Sequence, residues 1–324
     1  MKGTTPFDLS GRRIWLAGHR GMVGSAIVRR LNTEPVAELI TASSDEVDLT
    51  RQKETETFVL GNRPDVAIIA AARVGGIHAN RSAQADFLYE NLMISTNALR
   101  ACQIAGVEKV AVLGSSCIYP AESPQPIREE HLLAGHLEET NEGYAIAKIA
   151  ALEYGKMLTR QYGMNVISLM PTNLYGPGDN YDPETSHVLP ALIRKTHEAA
   201  VSGTSEITLW GSGRPRREFL HSDDLADAVV FTLINYSGEE HLNVGVGKDI
   251  SIIELAETIA EVVGWKGRYR FDTSMPDGVM RKMLDTSKLE KLGWVPQISL
   301  REGISATFQN FLEEFDTRVQ PDDR

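Results

Sequence analysis

Ile14-Trp-Leu-Ala-Gly18-His-Arg-Gly21-Met-Val-Gly24 decides the fold. The apolar run 14–17 reads as a first strand, and the glycines after it suit three tasks. They permit a tight turn, close approach of backbone to a pyrophosphate, and close packing of the helix that opens at Met22. The spacing is G-x-x-G-x-x-G rather than G-x-G-x-x-G, so the glycines alone are a weak signal. The strand before them and the helix after them strengthen it. Working outward, the alternation repeats, with strands at 38–41, 66–70, 110–113 and 166–169 separated by helical stretches at 22–31, 52–60, 85–104 and 144–162. This is the pattern of βα units, so the fold class is α/β, a Rossmann-type doubly wound parallel sheet. Beyond Pro171 the pattern loosens into loops with helices at 187–201, 223–235, 252–263 and 301–315, which reads as a smaller mixed α/β lobe. Ser251-Ile-Ile-Glu254 is a capping box opening the third of these, and 319–324 reads as a frayed polar tail.

A chain of 324 residues, 42% hydrophobic and 24% charged, can bury a large core in two domains or in one with an appended lobe. The net charge of −11 argues against a nucleic-acid surface and fits an acidic, soluble, cytoplasmic protein, while leaving room for a local basic pocket. No apolar stretch reaches membrane-spanning length, and residues 1–10 lack the charged and apolar regions of a signal peptide. The two cysteines make no disulfide framework, and no residue set reads as a metal site. Cys102, inside a helical pattern, reads as a small buried hydrophobe.

The end of the second strand bears on the choice of dinucleotide. A carboxylate there grips the ribose hydroxyls of NAD, but this end reads Thr41-Ala-Ser-Ser44, with no carboxylate until Asp45. Arg20 offers a cation, and Ser43 or Ser44 a hydroxyl, for a 2′-phosphate, which favours NADP(H). The alternatives are an ordinary surface role for Arg20 and a longer strand that lets Asp45 reach the ribose. Asp48 either orients the adenine or caps the helix that follows.

Gly114-Ser-Ser-Cys-Ile-Tyr119 comes directly after the strand 110–113, where a parallel strand delivers site groups. Tyr144-Ala-Ile-Ala-Lys148 sets a phenol and an ammonium one turn apart on one helical face. A cation so placed predicts a phenol that exchanges protons nearer neutral pH than its ordinary pKa of about 10 allows. With Ser115 this makes a carbonyl-reducing site, and Cys117 is a spare thiol beside it. On its own such a cysteine is more often a packed small residue. His187, three residues before Pro190, would be a surface residue behind a Ser186 cap.

Set together, Gly18 to Gly24, Ala70-Ala-Ala-Arg-Val-Gly-Gly76, Gly114-Ser-Ser-Cys-Ile-Tyr-Pro120, Tyr144-Ala-Ile-Ala-Lys148, Pro171-Thr-Asn-Leu-Tyr-Gly-Pro177 and Arg217-Glu-Phe-Leu-His221 resemble the extended short-chain dehydrogenase/reductase family. The resemblance runs in order and spacing from Arg13 to Phe315. Ser-Ser-Cys-Ile-Tyr-Pro with Ser186-His-Val-Leu-Pro190 is its most specific part, and resembles the family's nucleotide-sugar 3,5-epimerase-4-reductases. What this implies is a bifunctional oxidoreductase and isomerase that uses NADP(H) to convert GDP-4-keto-6-deoxy-D-mannose to GDP-L-fucose. By the same resemblance Tyr144, Lys148, Ser115, Cys117 and His187 are catalytic. Gly18, His19, Arg20, Gly21, Met22, Val23, Gly24, Leu113, Gly114, Ser115, Ser116, Pro171, Thr172, Asn173 and Leu174, with Tyr144, Lys148 and His187, would line the cofactor. Lys195, Trp210, Arg217 and Asp277 would hold the nucleotide sugar.

A ketone at C4 acidifies the protons on C3 and C5, so one base and one acid across the ring could invert each centre through an enolate. The resemblance assigns Cys117 as base and His187 as acid, with the direction at each carbon open. Tyr144 would then protonate the C4 oxygen during hydride transfer, Lys148 hold the nicotinamide ribose, and Ser115 stabilise developing charge. Residues 1–175 would form the NADP-binding domain, with 215–245 returning to it, and 176–324 a lobe that mainly binds the nucleotide sugar. Helices 85–104 and 141–161 would pair between two subunits in a four-helix interface. Two departures stand out: Met275 where relatives often carry lysine, and a 41–44 segment without the arginines some relatives place there. The competing readings are a sibling 4-epimerase or dehydratase, and a non-catalytic NADP-binding regulator.

Overall fold

The computed structural model describes residues 6–275 and 277–319, which leaves Pro276 and the polar tail 320–324 outside the described residues. Six strands form one parallel sheet in the order Glu38–Ile40, Arg13–Ala17, Val66–Ile69, Lys109–Leu113, Asn165–Pro171, Leu242–Val244. Successive side chains of a strand point to opposite faces, and here both faces are covered. Val110 and Val112 enter one apolar core while Ala111 and Leu113 enter the other. Helices Met22–Leu31 and Ser222–Asn235 cover one face, and Gln52–Asn62, Gln84–Ala105 and Glu142–Tyr162 cover the other. Burial on both faces explains why these strands read as continuous apolar runs. Cys102 sits fully buried in the second core, where desolvation pushes its thiol pKa far up. The doubly wound α/β class is therefore the observed architecture. Its topological switch point lies at Arg13–Ala17, flanked by the second and third strands in the sheet.

A third apolar core lies among helices Val188–Ser202, Ile252–Val263 and Leu300–Val319, around Leu189, Ile193, Leu255, Ile259 and Phe308, and a fourth gathers Cys117, Ile118, Ile127 and Leu284. The expected capping box closes on Ser251 and Glu254. Several strands have no counterpart in the sequence reading. Asn173–Tyr175 pairs with Phe219–His221, Glu206–Trp210 pairs with Arg268–Asp272, and Arg216–Arg217 lies between Ile250–Ser251 and Arg281–Lys282. These runs of two to five residues are specified by their partners more than by propensity. Asp48 does not cap Gln52–Asn62, whose N-cap is Arg51; its carboxylate is taken by the Thr50 amide and hydroxyl at 2.9 and 2.6 Å. Among the described residues no helix is long and apolar enough to cross a membrane.

One carboxylate ties these pieces together. Glu218 is fully buried; its Oε1 accepts from the Val246 and Gly247 amides, each at 2.6 Å, and its Oε2 from the Leu284 amide at 2.9 Å. Glu218→Ala would leave three buried N–H groups without an acceptor, so a loss on the order of 3 kcal/mol is expected in urea titration. Glu218→Gln keeps an acceptor for two of them and should lose less. A loss below about 1 kcal/mol in the alanine variant would mean that water replaces the carboxylate.

Candidate active site

The glycine turn closes as the sequence requires. Gly18 adopts φ +87°, and a Cβ there would lie 2.6 Å from the Ala71 amide nitrogen. A Cβ on Gly24 would lie 1.9 Å from the Gly18 carbonyl oxygen, so helix Met22–Leu31 can abut the turn only as glycine. Gly21 differs: its nearest neighbour would be 3.8 Å away, so the protein's own packing does not demand glycine there. His19 Nδ1 is buried without a hydrogen-bond partner, and Arg20 is exposed.

At the end of Lys109–Leu113 the chain turns through a one-turn helix, Ser116–Ile118, and Ser115 Oγ caps it by accepting from the Cys117 amide at 3.3 Å. Lys148, buried on helix Glu142–Tyr162, donates to the Leu113 carbonyl at 2.8 Å, which locks that helix to the strand end. Its ammonium lies 5.6 Å from the centre of the Tyr144 ring. Ser115, Cys117, Tyr144 and Lys148 are thus brought together.

Their electrostatics correct one expectation. Burial draws Lys148 down to about 8, and burial also pushes Tyr144 above its ordinary range, with a further push from Cys117. A phenol shifted toward neutral pH by its lysine is not what this arrangement makes. The Lys148 ammonium is committed to the Leu113 carbonyl and lies over the ring, so desolvation of the hydroxyl wins. Tyr144 holds its proton and is a donor. Burial raises the Cys117 thiol as well, opposed by Lys282, by a hydrogen bond from Ser115 and by Lys148.

His187 is exposed and is itself the N-cap of Val188–Ser202, in place of the Ser186 anticipated for that position. Solvent reaches it, yet the protein around the ring desolvates it enough to lower its imidazole pKa. The loop before it is held to the segment after the third strand by the Gly76 amide, which donates to the Thr185 carbonyl at 2.9 Å. No hydrogen bond joins His187 to Cys117 among the described residues.

The proposed sugar-binding residues fall into two groups. Trp210, 73% exposed, ends strand Glu206–Trp210, and Asp277 accepts from the Ser212 amide and hydroxyl at 2.8 and 2.7 Å, which fixes the adjoining turn. Arg217 is held by the Val279 carbonyl at 2.6 Å. Lys195 stands exposed on Val188–Ser202 and makes no hydrogen bond or ion pair among the described residues. Pro171 to Leu174 lie beside this region, with Thr172 Oγ1 and Asn173 Nδ2 donating to the Glu218 carbonyl at 3.3 and 2.8 Å.

Sequence reasoning missed three charged residues near these groups. Glu46 accepts from the Ser43 amide and hydroxyl at 2.7 and 2.9 Å and lies within charge reach of His19 and Arg20. Lys282 and Glu138 are within charge reach of each other and of Arg217, and Lys282 also of Cys117. No fixed spacing links any of them to a motif. Only the turned-back carboxylate at Glu46, three residues after Ser43, offered a local signal.

A family model described as the NAD dependent epimerase/dehydratase family matches residues 14–245. GDP-L-fucose synthase 1 of Arabidopsis thaliana is 53% identical over 301 residues, covering 93% of each chain. GDP-L-fucose synthase of Escherichia coli K12 is 48% identical over 318 residues, 95% of this chain and 99% of its own. Among solved structures, a GDP-L-fucose synthetase from Naegleria fowleri bound to NADP superposes with a TM-score of 0.89 at 31% identity, covering 97% of this chain and 98% of that one. This chain belongs to the NAD dependent epimerase/dehydratase family.

The turn that defines a family member's dinucleotide site is intact. Its fit rests on Gly18 and Gly24 folding the backbone flat, on the unpaired N–H groups of the first helical turn, and on the orphaned His19 Nδ1. Gly24→Ala should therefore lower the melting temperature and abolish dinucleotide binding together. Gly21→Ala should leave the melting temperature unchanged while weakening dinucleotide binding by about tenfold, because only the ligand competes for that space. Equal affinity for Gly21→Ala and native protein in fluorescence titration would remove the pyrophosphate from this turn.

Proposed function

We propose that this protein is an NADP(H)-dependent 3,5-epimerase-4-reductase that converts GDP-4-keto-6-deoxy-D-mannose to GDP-L-fucose. The observation that carries the proposal is the Cys117 thiol, buried in a carbonyl-reducing site within charge reach of both Tyr144 and Lys148. A sibling 4-epimerase or dehydratase has no use for a thiol there, and a non-catalytic regulator has none for the whole set.

Bound NADPH supplies the hydride that reduces C4. Cys117 takes a proton from a carbon beside the ketone, and His187 returns one on the opposite face, which inverts the centre. Ser115, whose Oγ accepts from the Cys117 amide and whose side chain also hydrogen-bonds the Cys117 thiol, would turn its O–H to the C4 oxygen of bound substrate. That donor stabilises the charge which develops first in the enolate and again on reduction. Tyr144, kept protonated by burial, gives its proton to the C4 oxygen. Lys148 is positioned to hold the nicotinamide ribose. Exposed Trp210 offers a face to guanine, and Arg217 and Lys195 offer cations to the diphosphate. Arg20 and Ser44 are left for a 2′-phosphate, since Ser43 is engaged by Glu46. We assign 1–175 to the NADP domain, 215–245 as its returning segment, and 176–324 mainly to the sugar lobe. A cytoplasmic location is part of the proposal, supported by the net charge of −11.

The test incubates GDP-4-keto-6-deoxy-D-mannose with enzyme in deuterated solvent and follows exchange at C3 and C5 beside NADPH oxidation. Cys117→Ser and His187→Gln should each lower exchange by at least about 100-fold, whereas Tyr144→Phe should lower reduction and spare exchange. Unchanged exchange in both of the first two variants would refute the assignment.

The assembly proposed is a homodimer built on Gln84–Ala105 and Glu142–Tyr162, which pack on each other and carry exposed Tyr89, Ile146 and Met157. Apolar side chains left outward on two adjacent helices suit an isologous four-helix contact. Sedimentation at micromolar concentration should give twice the 35.7 kDa chain mass, and Met157→Glu the single mass. A native monomer would dispose of the dimer.

A further inference from the structure

Two cations act on the Cys117 thiol, and they are not equally free. Lys148 donates its ammonium to the Leu113 carbonyl. Lys282 makes no side-chain hydrogen bond among the described residues, yet it exerts the larger pull on the thiol. The backbone around Lys282 is fixed on every side. Its strand pairs with Arg216–Arg217, with Lys282 opposite Arg217. The next residue, Met283, donates its amide to Gln125 Oε1 at 2.9 Å and accepts from the Ile127 amide at 2.8 Å. Leu284 follows, tied to Glu218 Oε2 and packed in the same apolar cluster as Cys117 and Ile118.

The charged and titratable groups around this pair are few. Cys117 faces Ser115, Tyr144, Lys148 and Lys282, and Lys282 faces Cys117, Arg217 and Glu138. Lys282 is half-buried and its burial lowers its pKa, so an ammonium without a hydrogen-bond acceptor there gains from an anion beside it. Two anions come within charge reach of Lys282, and the Cys117 thiolate acts on it more strongly than Glu138 does.

We propose that Lys282 is a positioning residue for epimerisation, its ammonium holding the Cys117 thiolate in the state that removes the proton beside the ketone. In that step the thiolate sulfur gains the proton, the C–H electron pair passes to the C4 oxygen, and the ammonium keeps its own proton throughout. The inference rests on the reading of Cys117 as the epimerising base.

Iodoacetamide alkylation of Cys117 as a function of pH, with the modified peptide identified by mass spectrometry, measures the thiol directly. Lys282→Met should move the alkylation midpoint up by a pH unit or more, cutting the rate at pH 7 about tenfold. It should lower kcat for C3 and C5 exchange similarly with little change in KM, while reduction of the already epimerised ketone persists. Lys282→Arg should restore both, and Lys282→Gln serves if the methionine variant fails to fold. An unmoved midpoint in the folded variants overturns the proposal, as does a raised KM with the midpoint unmoved, which would make Lys282 a substrate contact. Should Cys117→Ser leave exchange intact, the base assignment fails by itself, and the alkylation midpoint still decides whether Lys282 governs the thiol.

Discussion

The buried carboxylate of Glu218 is the constraint on which the arrangement of the site depends. A carboxylate without water is expensive, and it survives here because three backbone N–H groups from two separate segments converge on it. Its own carbonyl takes Thr172 and Asn173. So the end of the fifth sheet strand, the turn after Leu242–Val244 and the segment just after the Lys282 strand are all fixed to one residue. The packing is tight: a Cβ on Gly245 would lie 2.3 Å from Glu218 Oε1. The neighbouring residue, Arg217, is thereby placed opposite Lys282. The placement of Arg217 and that of Thr172 and Asn173 follow from the same point.

Much of this was legible in the chain, and the parts that were share a cause. Strands buried on both faces must be apolar throughout, so Val66–Ile69 and Lys109–Leu113 announce themselves. Tyr144 and Lys148 are one helical turn apart, and Ser115 and Cys117 are two residues apart, so local geometry alone joins each pair. Glu218 and Lys282 could not be found this way. Their partners lie tens of residues away, for Glu218 in a turn and at an isolated bridge and for Lys282 on a two-residue strand, none of which sequence preference announces. Glu46 was hidden for another reason: the second strand stops at Ile40, and the residues after it turn back on themselves through Ser43.

The expectation about Tyr144 failed because proximity of charges was weighed without burial. Spacing fixes which groups are neighbours but says nothing of how dry their surroundings are. In this site dryness is the larger effect for Tyr144, Lys148 and Cys117 alike, and each is moved toward its neutral form.

That uniform pressure has opposite consequences for the two reactions. Reduction benefits if Tyr144 is the donor, as proposed, since the phenol stays protonated. Epimerisation with Cys117 as the proposed base is opposed, since a protonated thiol takes no proton. One site can perform both only if a charge acts on the thiol without equally ionising the phenol. Neither lysine is among the groups that shift Tyr144, but Lys148 gives its ammonium to the Leu113 carbonyl. Lys282 acts on Cys117 from the second half of the chain and makes no side-chain hydrogen bond among the described residues. On the proposed roles, a reductase lysine and an epimerase lysine come from the two halves of the chain, and Glu218 ties the segment after Lys282 to the end of the fifth sheet strand.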